Sequence, residues 1–254
     1  MTENVRVDVD GGVMTVTINR PKAMNAMTKS MAEAIAAAMD RLDDSDDIRV
    51  AILTGAEGNF CAGMDLKDFV DGELPEAEER GFGGVCSRPP EKPLIAAVEG
   101  FALAGGCELA AACDLIVAAE NARFGLPETK LGLVAGAGGL IRMPRQIPQR
   151  VALEMALTGD FITASRAYEV GLVNRVVDTG EAYNVALKMA RTIAGNGPLA
   201  VMASKRIMVE SQDWSTSEMF QRQLEIMGPV FDSEDAIEGA TAFAEKRSPQ
   251  WKGR

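Results

Sequence analysis

The segment that decides the reading is EGFALAGGCE, residues 99–108. It sets a glycine pair, Gly105 and Gly106, just before a carboxylate, Glu108, between the apolar runs LIAAV at 94–98 and LAAACDLIVAA at 109–119. Runs so apolar belong in a core, where a glutamate is costly unless it is paired, hydrogen-bonded or protonated. Glycine has no Cβ, so the N–H groups of such a pair can come close to a ligand where a helix begins. Two readings follow from the segment alone. One is a tight strand-to-helix turn whose Glu108 bonds the backbone. The other is an acid/base carboxylate beside an oxyanion site.

Omissions elsewhere narrow the chemistry. The chain has no histidine in 254 residues, which excludes Ser–His–Asp and Cys–His catalysis and any zinc site built on imidazole. Cys61, Cys86, Cys107 and Cys113 show no C-x-x-C spacing, which removes zinc ribbons and thioredoxin-type pairs. Proton transfer falls to Asp, Glu, Lys, Tyr or a thiol, with carboxylates foremost. GAGG at 136–139 is no dinucleotide fingerprint, because Ile141 stands where a third glycine is needed. No P-loop occurs, and the acidic cluster 43–47 lacks the glycine and distal glutamate of a calcium loop, so it reads as a solvated helix end.

With 47% hydrophobic and 25% charged residues the composition is that of an ordinary globular chain. A net charge of −11 argues against general binding to nucleic acid or anionic membranes, though local lysines can still receive a small anion. MTENVRVDVDGG at the N-terminus has no basic-then-apolar signal pattern. Glu99, Glu108 and Asp114 interrupt the apolar stretch 93–119, which favours a core over a membrane span. Four cysteines without evident partners suit a reducing cytoplasm.

Along the chain, residues 5–9 and 13–19 alternate around Gly11–Gly12 as a hairpin. Thr28 caps a helix with Met31, Ile35, Met39 and Leu42 on one face. Residues 48–54, 94–98, 115–119 and 173–177 read as strands. The acidic, glycine- and proline-containing stretch 71–91 reads as a surface loop with some helix. Tyr183, Leu187, Ala190 and Ile193 line one helical face, Pro198 opens another helix, and Ser233 caps a last one running to about Arg247. Strands separated by helices imply an α/β fold with largely parallel pairing and a helical C-terminal portion.

Four motifs stand out in order: FCAGMDLK at 60–67, ALAGGCE at 102–108, FGLPE at 124–128 and AFAEKR at 242–247. With NRPKAMNAM at 19–27, EKPLIAAVEG at 91–100 and LTGDFITASRAYEVGLVNRVV at 157–177, they resemble the crotonase superfamily, the enoyl-CoA hydratases and isomerases, from about Val5 to Trp251. The resemblance implies an α/β crotonase-like spiral of ββα units over residues 1–195 and a helical trimerisation region over 196–254. It further implies trimers that can pair into hexamers.

The resemblance also implies roles. Met64 and Gly105 would supply backbone N–H groups to a thioester oxygen, and Glu108 and Glu128 would be the two catalytic glutamates of a hydratase. Backbone around Ala62 and Leu66, with Asp65 between them, would hold the CoA adenine. Lys22 and Lys67 would face CoA phosphates, and Phe243 and Lys246 would reach the nucleotide from a neighbouring subunit. The substrate would be an acyl-CoA, with no metal and no separate cofactor. Isomerases of the family usually need one carboxylate, so two favour a hydratase, although some dehydratases, hydrolases and decarboxylases keep a similar scaffold; a non-catalytic acyl-CoA-binding protein is the competing class. Ala104 and Ala135 depart from the glycine and proline common at these places, close to the acyl pocket.

Overall fold

The computed structural model describes residues 4–254; the first three residues of the segment read for a signal pattern lie outside it. Strands β1 (Val5–Asp10) and β2 (Val13–Ile18) form the expected hairpin, with both turn glycines at positive φ. Helix α1 (Lys29–Asp44) starts at Thr28, whose hydroxyl accepts from the Met31 N–H. Its Met31, Ile35, Met39 and Leu42 are buried, as the spacing requires. Strand β3 (Val50–Gly55) begins two residues later than expected, because the Ile48 N–H turns back onto the Ser45 carbonyl. After a glycine turn comes the short α2 (Leu66–Val70).

The stretch 71–91 contains no helix; it holds a small antiparallel pair, β4 (Glu76–Ala77) and β5 (Gly81–Phe82). Nor is it simply surface. Arg80 is buried and bonds Asp40 and Asp43, so the expected solvated helix end is in part an internal ion-pair site. A buried guanidinium must be paired in this way.

Next come β6 (Leu94–Val98), β7 (Phe101–Leu103), α3 (Gly105–Ala112), β8 (Leu115–Ala119) and β9 (Arg123–Gly125). A 3₁₀ turn (Pro127–Leu131) leads to α4 (Gly139–Gln146), α5 (Gln149–Thr158), β10 (Ile162–Thr163), α6 (Ala164–Glu169) and β11 (Arg175–Val177). That last strand is shorter than expected, since Asn174 uses its side chain to accept from Ile116.

The architecture is the expected spiral. One six-stranded sheet runs β1-β2-β3-β6-β8-β11, parallel after the opening hairpin, and a second runs β10-β9-β7. From β6 and from β8 the chain passes to β7 and β9 of the second sheet and then to α3 or the 3₁₀ turn, and after β3 an isolated bridge at Cys61 takes the place of such a strand before α2. Both faces of the sheet are buried at its centre, so β3, β6 and β8 read as nearly unbroken apolar runs, while β1 at the edge alternates and is largely exposed. One face packs with Met31, Ile35 and Met39 of α1; the other is covered by α7 (Ala182–Ala194) through Ala182, Ala186 and Ala190.

Past residue 195 lie α8 (Pro198–Glu210), α9 (Met219–Phe231) and α10 (Glu234–Glu245). α10 begins at the expected Ser233 cap and stops two residues short of Arg247, with Lys246 left-handed. Lys205 ties α8 to the spiral through Asp114 and the carbonyls of Pro90 and Lys92. Phe220, Leu224, Phe231, Ile237 and Phe243 on α9 and α10 stay exposed. Among the described residues no helix is long and apolar enough to cross a membrane.

Candidate active site

The spiral sets equivalent residues of successive turns side by side. Cys61 pairs with Ala102 and Ala102 with Phe124, all in parallel register. Three residues beyond Cys61 and Ala102 stand Met64 and Gly105; four beyond Phe124 stands Glu128. The segments that carry these positions, far apart in sequence, therefore leave neighbouring strands side by side.

The two N–H groups are available for different reasons. Met64 lies in a parallel bridge with Met27, which donates to Gly63 and accepts from Asp65. In such a ladder the residue between the bonded positions turns its own N–H to the other side. Gly105 is the first residue of α3, so its N–H has no acceptor within the helix. The two turns touch: a Cβ on Gly63 would lie 2.8 Å from that of Ala104 and 3.5 Å from the Gly105 nitrogen. A Cβ on Gly106 would run into the Cys61 carbonyl, which is why the motif needs glycine there. Ala104 itself sits at φ 51°, ψ −129°, a region that suits the glycine it replaces.

Glu108, on the first turn of α3, is 3% exposed, and its Oε1 accepts from the Gly139 N–H at 2.8 Å. Burial pushes its carboxyl up to about 7, and the nearby Glu128 pushes the same way. Of the two readings of residues 99–108, the strand-to-helix turn whose Glu108 bonds backbone is what the fold contains, and that same carboxyl is buried. Glu128, on the 3₁₀ turn opened by Pro127, is 8% exposed and is also raised by burial. Its Oε2 is buried without a hydrogen-bond partner among the described residues. A carboxylate oxygen left so is costly, and a water or ligand is the ordinary remedy.

The other expected residues divide into two groups. Residues 20–27 and 61–67 are clasped together: Arg20 pairs with Asp65, Ala62 donates to Met24, and buried Asn25 donates to the carbonyls of Ala56 and Asn59. This brings Lys22, Ala62, Asp65, Leu66 and Lys67 into one rim, with both lysines exposed. Asp65 is occupied, however; it caps α2 by accepting from Lys67 and pairs with Arg20, which holds its carboxyl below the usual range. Phe243 on α10 and Lys246 just past its end are exposed, and one chain does not bring them to the rim.

Sequence reasoning missed four contributors. Phe82, in the stretch 71–91, lays its ring where a Gly105 side chain would be. Gly139, in the GAGG run set aside as a failed fingerprint, holds Glu108. Asn25 and Arg20 organise the rim. Only Asn25 and Arg20 had a signal, their place within NRPKAMNAM.

Fold and site together define a spiral α/β protein of the crotonase class. The chain belongs to the enoyl-CoA hydratase/isomerase family, whose sequence pattern it matches over residues 8–254. It is 44% identical to enoyl-CoA hydratase EchA19 of Mycobacterium tuberculosis, over 98% of this chain and 96% of that one. It is 41% identical to the carnitinyl-CoA dehydratase of Proteus mirabilis, over the whole of both. Its structure is similar to that of an enoyl-CoA hydratase from Mycobacterium tuberculosis H37Rv, with a TM-score of 0.97, 55% identity and 99% of each chain covered.

Proposed function

We propose that this protein adds water syn across the double bond of a trans-2-enoyl-CoA, giving the 3-hydroxyacyl-CoA, as a step in β-oxidation of fatty or related acyl chains. The observation that carries the reading is the pair of buried glutamates, close enough for the charge of one to raise the other, with one oxygen orphaned. Glu108 holds a water and takes its proton as the oxygen attacks the β-carbon. The π electrons move onto the thioester oxygen, which Met64 and Gly105 meet with fixed N–H dipoles. Glu128 then delivers its proton to the α-carbon. An amide donor of this kind is worth roughly 3–4 kcal/mol in the transition state. Glu108 is itself pushed to about 7 in the open site, so this division of roles requires the shared proton to pass to Glu128 when a thioester fills the space.

The assembly belongs to the same reading. The apolar faces of α9 and α10 pack between copies as a trimer or a pair of trimers, and Phe243 and Lys246 of a neighbour then complete the nucleotide site. Kinship with carnitinyl-CoA dehydratase favours a second direction, loss of water from a 3-hydroxyacyl-CoA, on the same pair. Glu108→Ala and Glu128→Gln are expected to abolish the loss of enoyl absorbance while CoA-ester binding persists. Full activity in either variant refutes the pair. Wild-type protein that binds acyl-CoA yet turns over neither enoyl nor hydroxyacyl thioesters supports a binding protein instead.

A further inference from the structure

The N-terminal turn of α4 carries two adjacent glycines, and each has a charged side chain against it. A Cβ on Gly139 would fall 2.8 Å from Cγ and 3.0 Å from Oε1 of Glu108. A Cβ on Gly138, which sits at φ 101°, would run into Nη1 of Arg142. The turn is thus held between a carboxylate on one side and a guanidinium on the other. Arg142 reaches back over its own helix start, and its Nη2 donates to the Cys86 carbonyl at 2.6 Å. That carbonyl belongs to the stretch 71–91, which also carries the Phe82 ring that lies against Gly105. One planar side chain therefore links the helix start that holds Glu108 to the segment that roofs the amides.

We infer that Arg142 is a positioning residue for the reaction: it fastens the Phe82 segment to α4 and holds its guanidinium on the far side of the Gly138–Gly139 turn from Glu108. The inference rests on the functional reading above for its catalytic consequence, but not for its test. The groups that face Glu108 are Glu128 from the 3₁₀ turn, Cys86 from the roof, Cys107 from its own helix, the backbone N–H groups of Gly139 and Ala137, and Arg142 from α4. Burial pushes both thiols well above the ordinary range, so they stay neutral and Arg142 is the cation among them. Near neutral pH it opposes the effect of burial and of Glu128, and its charge lowers the proton affinity of Glu108.

The test is a titration of the Glu108 carboxyl by carbon-13 NMR in glutamate-labelled protein, with the resonance assigned by its loss in Glu108→Gln. No turnover is required, so a failed hydratase reading leaves the titration interpretable. Arg142→Gln is expected to raise the Glu108 midpoint by about half a unit to one unit, and Arg142→Lys to restore it. Gly138→Ala, which keeps the charge but pushes the guanidinium off the turn, is expected to move it the same way as Arg142→Gln, and the two together no further. In turnover, the acid limb of kcat/KM moves upward in Arg142→Gln by the same amount. A Glu108 midpoint unchanged in Arg142→Gln and in Gly138→Ala overturns the inference; if Arg142→Gln fails to fold, Gly138→Ala alone decides.

Discussion

Glu108 stores the cost of the site in one side chain. A carboxyl pushed from 4.5 to about 7 binds its proton more tightly folded than unfolded. Its contribution is therefore complete below about pH 4.5 and is lost as the pH rises through 7, because the unfolded chain ionises first. Over that window the loss amounts to about 3 kcal/mol, at 1.36 kcal/mol per unit. Glu108→Gln keeps an oxygen for the Gly139 N–H and has no proton to lose. The variant is expected to match the wild type near pH 4.5 and to exceed it by about 3 kcal/mol at pH 8, measured by urea denaturation across pH. Equal stabilities at pH 8 would show that the carboxyl is not desolvated. This residue was legible beforehand because an acid in an apolar run contradicts its surroundings. Glu128 was legible only through FGLPE, since a lone glutamate after a proline carries no such conflict.

The helix starts and tight turns set the amides, and there the chain departs from the most relaxed backbone. Ala104, joining β7 to α3, holds φ 51° with its methyl packed toward Gly63. Such a conformation costs an alanine of order 1–3 kcal/mol that a glycine does not incur, offset in part by the unfolded-state entropy of glycine. Ala104→Gly is expected to stabilise the fold by about 1 kcal/mol in thermal or urea unfolding. A loss of stability would mean that the methyl contact with the Gly63 turn outweighs the strain. Strands and helix faces with clear period were readable: the hairpin, α1 and the buried runs of β6 and β8 all follow from spacing. The stretch 71–91 was not, because its order comes from distant partners rather than from its own pattern. Arg80 lies on Asp40 and Asp43, and Cys86 accepts from Arg142. Lys92 is similar: its ammonium donates to the carbonyls of Leu42, Ser45 and Ile48 at the end of α1, which nothing in EKPLIAAV discloses.

At the scale of the molecule, the spiral converts sequence order into proximity, so three short motifs over 60–128 become one site. The C-terminal helices play a different part. Trp251 donates to the Gly195 carbonyl, and Asp235 accepts from Lys252 and Gly253, so the tail folds back over the start of α8. Phe220 and Phe231 remain 70% and 69% exposed in one chain, which is the kind of surface that association covers. Light scattering of the wild type is expected to give three or six copies, and Phe220→Ser with Phe231→Ser to give a smaller species with weaker CoA-ester binding. A monomeric wild type with full CoA affinity contradicts this. Such an interface is invisible in a single sequence, where exposed and core phenylalanines look alike.

The central claim is that two acids and two amides act on one thioester. Its most direct measurement is turnover of a short trans-2-enoyl-CoA in deuterated water, with the product read by mass and by NMR. The account predicts a 3-hydroxyacyl-CoA carrying one deuterium at the α-carbon, added to the same face as the hydroxyl, and no product from Glu108→Gln or Glu128→Gln. Addition to opposite faces, or undiminished product from either variant, would contradict it.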